Sequence, residues 1–239
     1  MPRHLFGVVT PSSNTVLEPL TSAIMAQVPG ASAHFSRFTV THIGLSSGAL
    51  AQFDTAPMVA AARLLADARV DVIGWSGTAA SWLGFDRDEA LCAQIEAATG
   101  IPACTSVLAL NELIGLMPSR RFALVSPYTD DVQQRILANY ARNGYEIVAE
   151  AHLGISDNFA FSDITESEIV AMCRQVAAAR PNSIVIMCTN MRGAHLASTI
   201  EAELGIPLLD STSAVAWKAL KMMRADTTQL RDWGRIFAL

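Results

Sequence analysis

The chain predicts an α/β protein of two pseudo-symmetric lobes, each a mostly parallel sheet flanked by helices, with a functional cleft between them. Three observations carry this. Short apolar runs rich in β-branched residues alternate with amphipathic segments of helical period. The run Gly100-Ile-Pro-Ala-Cys-Thr-Ser106 returns, offset by 105 residues, as Gly205-Ile-Pro-Leu-Leu-Asp-Ser-Thr-Ser213, the last of three matched pairs in the same order. Finally, the run Asn182-Ser-Ile-Val-Ile-Met187 empties abruptly into Cys188-Thr-Asn190, so a buried strand delivers a thiol and two small polar side chains at its carboxyl end. In an open α/β sheet that edge is where ligands bind. The repeat divides the chain into a first lobe at 1–117 and a second at 118–213, with 214–239 expected to pack back onto the first.

The elements follow in order. Leu5 to Val9 reads as a buried strand, Thr10 to Thr15 as a polar loop, and about Val16 to Val28 as an amphipathic helix. His34 to Val40 alternates as a second strand, followed by a loop through Ser46-Ser-Gly48 and an Ala-rich helix from about Pro57 to Ala68. Val70 to Trp75 is a third strand, and Ser76 to Ser81 the turn it empties into. A helix near Asp86 to Thr99 stops at Gly100, a brief strand follows, and a Thr-Ser pair caps a helix over Val107 to Leu116. The pattern restarts with a strand at Arg121 to Val125, whose exit Ser126-Pro-Tyr-Thr-Asp-Asp131 restates Val9-Thr-Pro-Ser-Ser-Asn14. Glu146 to His152 is a strand, Ile169 to Ala179 a helix, the strand into Cys188 corresponds to the one into Gly77, and Ser213 to about Met223 is a last helix.

Composition narrows the function. An apolar fraction of 51% with 16% charged residues fits a compact, enzyme-like chain of 239 residues. A formal charge of −5 and scattered Lys and Arg argue against nucleic acid. The N-terminal apolar run is too brief for a signal peptide and no run reaches a membrane span, so the expected location is cytoplasmic, without a membrane partner. The four cysteines, Cys92, Cys104, Cys173 and Cys188, have no metal-ligand or disulfide spacing, and no metal is expected. Cys92, Cys104 and Cys173 read as packing residues. His195 reads as facing away from the thiol on the following helix, Asp130-Asp131 as a helix N-terminus, and Trp75 and Trp82 as packing, with Trp82 also suited to wall an apolar substrate pocket.

Pro11-Ser-Ser-Asn14, Ser126-Pro-Tyr128, Asp157-Asn158 and the strand ending in Cys188 together resemble the aspartate/glutamate racemase superfamily, in particular its maleate isomerase and arylmalonate decarboxylase branch. The resemblance runs from Gly7 to the Trp217 region. It implies two Rossmann-like lobes around a cofactor-free site in which thiols handle protons or add to carbon beside carboxylates. Such isomerases and racemases carry one cysteine per lobe; here Gly77 stands at the first-lobe position. Gly77-Thr78 is similar instead to the Gly-Thr-Ser segment of the decarboxylases, although Ala79 stands where they have a serine. Asn14 and Asn158 resemble the carboxylate-binding asparagines of maleate isomerases, so the chain mixes features of both.

The chemistry can be reasoned from the residues. A carbanion next to a carboxylate, in a site without metal, needs hydrogen-bond donors that stabilise an enediolate away from water. Thr78, Tyr128 and backbone amides after Gly77 and Cys188 can supply them, and Gly77 lets a substrate oxygen approach the backbone. Ser12, Ser13 and Asn14 are neutral donors for the carboxylate that stays behind, and Thr189 borders the same loop. Asn14 and Thr78 also suit helix caps, and Asn158 an ordinary turn. One thiol, Cys188, suffices as the acid of a decarboxylation, whereas racemisation needs groups on both faces. The expected partner is thus a small carboxylate, foremost a substituted malonate, with cis-trans isomerisation or racemisation of a small dicarboxylate, and non-catalytic carboxylate binding, as alternatives. A homo-oligomer is compatible with all three.

Overall fold

The computed structural model describes residues 3–239; the first two residues of the predicted first lobe lie outside this range. Strands β1 (His4–Pro11), β2 (Ala31–Phe38), β3 (Val72–Trp75) and β4 (Ala103–Thr105) form one parallel sheet in the order β2-β1-β3-β4. They are joined by helices α1 (Leu17–Ala26), α2 (Ser47–Ala51), α3 (Thr55–Asp67), α4 (Ala80–Leu83) and α5 (Phe85–Thr99), and α6 (Ser106–Gly115) follows β4. The second sheet is built from β5 (Arg121–Ser126), β6 (Glu146–His152), β7 (Ile184–Ile186) and β8 (Leu208–Asp210) in the order β6-β5-β7-β8, again parallel. Its helices are α7 (Asp130–Arg142), α8 (Glu166–Ala177), α9 (Ala197–Leu204) and α10 (Ser211–Met222). The two topologies are the same.

Parallel strands covered on both faces must be apolar throughout, and they are: Val72–Trp75 and Ile184–Ile186 are buried at every position. The repeat extends to the backbone. Gly100 and Gly205 both end a helix in the left-handed region, each at φ 71°, which glycine adopts without the Cβ penalty. The amide of Ser76 donates to Val9 O and that of Met187 to Val125 O, so the turns after β3 and β7 leave their sheets in the same way.

Two segments read as irregular from sequence are helical. The loop expected around Ser46-Ser-Gly48 is α2, started by Ser46, whose Oγ accepts from the Ala49 amide at 3.3 Å. The turn after Trp75 contains α4, whose Ala80 and Ser81 carbonyls accept from Asn139 Nδ2 of α7 at 3.3 and 3.1 Å, a contact between lobes. At the other end of the chain, α10 lies against α1 and α6 of the first lobe. The closing turns at Arg231–Trp233 and Arg235–Ala238, expected on the first lobe, lie instead against α9 and β8 as well as α10. Buried Trp233 and Phe237 need that apolar cover, and the Glu201 carboxylate of α9 accepts from the Arg235 amide at 3.0 Å.

In each sheet the chain leaves the two central strands in opposite directions, which opens a crevice at their carboxyl ends. The loops after β1, β3, β5 and β7 therefore meet at one place.

Candidate active site

Six of the expected residues line one small cavity between the lobes: Gly77 and Thr78 after β3, Tyr128 after β5, Asn158 after β6, and Cys188 and Thr189 after β7. Its volume is about 20 Å³, enough for a single water and far too little for a substituted dicarboxylate. The polar residues sit in an apolar frame that includes Val40, Ile43, Phe53, Trp75 and Trp82. Trp82 packs edge-on to Tyr128 at 5.2 Å and to Phe53 at 5.8 Å, while Trp75 lies 5.2 Å from Phe38. Trp82 thus walls the pocket as its sequence position suggested, and Trp75, read as packing alone, walls it too.

Cys188 follows β7 and is 2% exposed. Burial pushes its thiol up to about 12, against the opposing pull of hydrogen bonds from the Asn190 amide, 3.3 Å from Sγ, and from the Tyr128 side chain. At neutral pH this thiol carries its proton. Tyr128 Oη lies 2.6 Å from Thr78 Oγ1, and burial likewise holds the phenol well above its ordinary value, so it too remains a donor. Thiol, phenol and threonine hydroxyl form a short chain across the cleft.

The loop after β1 stands one layer further back. Asn14 Oδ1 accepts from the amides of Val16 and Leu17 at 2.9 Å each, the capping role its sequence allowed, while its Nδ2 donates to Thr189 Oγ1 at 3.2 Å. Ser12 and Ser13 each donate to Val40 O, at 3.3 and 2.6 Å, and Ser13 accepts from Asn158 Nδ2 at 2.7 Å. All three hydrogen-bonding groups are engaged with protein and none of these residues lines the cavity.

Asn190, the last residue of the Cys188-Thr-Asn190 run, has no expected role from sequence but belongs to the site. Its Oδ1 accepts from the Thr15 amide at 3.0 Å and its Nδ2 donates to Asn158 O at 2.5 Å, while its amide meets the thiol. One side chain thereby joins the loops after β1, β6 and β7. The same contact region carries an interlobe strap: His42 and Asp157 form an antiparallel bridge, the Ile43 amide donates to Ser156 O at 2.8 Å, and the Asn158 amide to Thr41 O at 3.1 Å. Val40, Ile43 and Asn158 on this strap are cavity walls.

The remaining candidates lie elsewhere. His195 Nε2 is 2.8 Å from Glu166 Oε1 at the surface, and Asp130-Asp131 begin α7, with Asp130 bonded to His152. Burial raises the thiols of Cys92, Cys104 and Cys173. Among the described residues no group of three or more His, Cys, Asp or Glu could hold a metal ion, and no helix is long and apolar enough to cross a membrane.

A model of the arylmalonate decarboxylase family matches residues 19–237. The chain belongs to that family. It is 28% identical over 224 residues to the maleate isomerase of Nocardia farcinica, covering 91% of this chain and 89% of the relative. It is 27% identical over 205 residues to the arylmalonate decarboxylase of Bordetella bronchiseptica, covering 84% and 85%. A solved structure of the Nocardia farcinica maleate cis-trans isomerase, a cysteine-to-serine variant with a covalently bound succinylcysteine intermediate, superposes with a TM-score of 0.87 at 24% identity over 99% of this chain and 98% of that one. The mixture of isomerase and decarboxylase features in the sequence is thus matched by its relatives, all of them enzymes, and the two-lobed fold is that of the family.

Proposed function

We propose that the chain decarboxylates a substituted malonate or similarly activated small acid, with Cys188 as the proton donor. The observation that carries this reading is the pairing of one protonated thiol with a filled space opposite. A Cβ placed on Gly77 would meet Trp75 Cζ2 at 2.1 Å and Cε2 and Cη2 at 2.5 Å. At position 77 the first-lobe turn therefore has neither a thiol nor room for one. An isomerisation that begins with thiolate addition, or a two-face proton exchange, lacks its second group. A decarboxylation does not need it.

In this reading the bond from the α-carbon to one carboxylate breaks, CO2 leaves, and the electron pair passes into the carboxylate that stays, as an enediolate. Thr78, Tyr128 and the backbone amides of the surrounding turns donate to its oxygens in a dry cleft. The S–H bond of Cys188 then breaks and its proton goes to the α-carbon, on one face only; water restores the thiol after the product leaves. A raised thiol pKa suits this step, because the group must be an acid at neutral pH. The Nocardia relative, in which a cysteine bonds to a succinyl group, indicates that thiol chemistry beside carboxylates is native to such clefts.

The test is proton NMR in deuterated buffer with phenylmalonate, alkylmalonates, maleate and chiral aspartate-like acids, beside Cys188→Ala. The expected result is loss of one carboxyl group with one deuteron gained, abolished in the variant. Isomerisation of maleate or deuterium exchange without carbon loss would transfer the protein to the isomerase reading; ligand-induced stabilisation without any turnover would leave a carboxylate-binding protein.

A further inference from the structure

We infer that Trp75 is the specificity-determining residue of this site: its indole stands in for the first-lobe side chain at position 77 and closes off a second cavity that would otherwise extend the substrate pocket. This deepens the carboxylate-site reading and rests on it.

Residues two apart along a strand and its exit face the same side, so Trp75 and position 77 compete for one volume. The indole has taken it, with three ring atoms within 2.5 Å of where a Cβ would lie on Gly77. The ring is fixed there, 1% exposed and packed on Phe38. Behind it lies a cavity of about 250 Å³ whose lining includes Leu50, Met58, Leu83 and Leu91. Trp75, Phe53 and Ala79 belong to the walls of both spaces. Ala79 is too small to divide them, which leaves the two aromatic rings as the partition, with Trp75 nearer the reacting residues by its contact with Gly77.

The consequence is a size limit. With the indole in place, the substituent on the acid must be compact. Without it, the cavity around Cys188 continues into a space large enough for a second ring, with apolar walls at Leu50, Met58, Leu83 and Leu91 and polar ones at Asp54, Arg87 and Asp88. Small apolar differences discriminate ligands by about 10- to 200-fold when a pocket wall excludes them.

Two measurements test this on the intact protein. In the first, dissociation constants of phenylacetate, 2-naphthylacetate and 4-biphenylacetate are measured calorimetrically for wild type, Trp75→Ala and the milder Trp75→Leu, which guards against misfolding of the alanine variant. The expected result is a shift in the biphenylacetate-to-phenylacetate preference of about 10-fold or more toward the larger acid. In the second, which needs no ligand, melting temperatures are compared for Gly77→Ala alone and combined with each Trp75 variant. Gly77→Ala is expected to destabilise the wild type and to be nearly neutral once the indole is gone. A Gly77→Ala effect unchanged by Trp75 truncation overturns the wall. Coupled melting temperatures with unshifted ligand preference overturn the specificity role. Coupled melting temperatures with no binding of any acid overturn the carboxylate reading and the size limit with it.

Discussion

The two lobes present the same turn to the cleft with its chemistry exchanged. Trp75, Ser76, Gly77, Thr78 and Ala79 in the first correspond to Ile186, Met187, Cys188, Thr189 and Asn190 in the second. Where the strand ends in a large flat ring, the residue two places on has no side chain; where it ends in Ile186, there is room for a thiol. The difference teaches that the absence of a thiol at position 77 goes with a differently packed wall, since the indole makes the glycine compulsory. The last pair matters as well. Ala79 makes no side-chain hydrogen bond, whereas Asn190 ties three loops together, so the second lobe both carries the thiol and holds the cleft in register.

The largest effect should come from moving the thiol. Cys188→Ala removes the proposed acid and is expected to lower turnover by about 10²- to 10⁴-fold. Adding Gly77→Cys should not recover it, because the new side chain collides with the indole. Only the triple change Trp75→Ala, Gly77→Cys and Cys188→Ala should restore measurable decarboxylation, now protonating the opposite face. Chiral chromatography of the product from a prochiral malonate reads this directly: recovery by the double variant, or the same enantiomer from the triple variant, contradicts the exchange.

A smaller effect should follow from levelling the second difference. Asn190→Ala strips a buried amide from the Thr15 amide and the Asn158 carbonyl, leaving both without that partner at a cost of about 1–3 kcal/mol. Several degrees of melting temperature should be lost in a chain of this size. Turnover should fall too, because Asn158 and the thiol loop lose their common support. A calorimetric scan with unchanged melting would mean that the loops are held by the strap at Thr41, Ile43, Ser156 and Asn158 alone.

These contrasts mark what local sequence could and could not disclose. Strand and helix alternation, the matching Gly100 and Gly205 stops, and the strand into Cys188 are all local signals, and the fold followed from them. The thiol's position at the strand end was equally local. What escaped is long-range. Whether Trp75 packs outward or into the cleft depends on Gly77 and Phe38 meeting it in space. Ser12 and Ser13 have the composition of a ligand loop, yet their hydroxyls meet Val40 O across the sheet edge, a pairing that no spacing announces. Asn190 ends the Cys188-Thr-Asn190 run, but its value comes from Thr15 and Asn158, which are far away in sequence. The helices α2 and α4 are too short for periodicity to register and are stabilised by Ser46 and by Asn139 of the other lobe.

The smallest effect concerns how each lobe pins its outer loop. In the first, Arg37 donates from Nε to Glu18 Oε1 at 2.9 Å and from Nη1 to the carbonyls of Ser12 and Asn14 at 2.8 and 3.0 Å. In the second, the place at the edge strand's end is taken by His152, with Nδ1 2.8 Å from Glu150 Oε2 and Nε2 2.8 Å from Asp130 Oδ1. Of the two pins, the imidazole is the one that titrates near neutral pH. Burial pulls the His152 pKa down, and the hydrogen bonds and charges of Asp130 and Glu150 outweigh it, so the net shift is upward. A raised pKa means that the protonated ring stabilises the fold fully below the unfolded value near 6.5, and that this contribution fades as pH rises through the folded value. Because Asp130 is largely exposed, the contribution should stay below about 1 kcal/mol. Melting temperature should therefore decline slightly from pH 6 to 8 in the wild type and less so in His152→Gln, whereas an Arg37→Gln variant should retain the wild-type slope; identical slopes in wild type and His152→Gln would remove the pH asymmetry between the lobes.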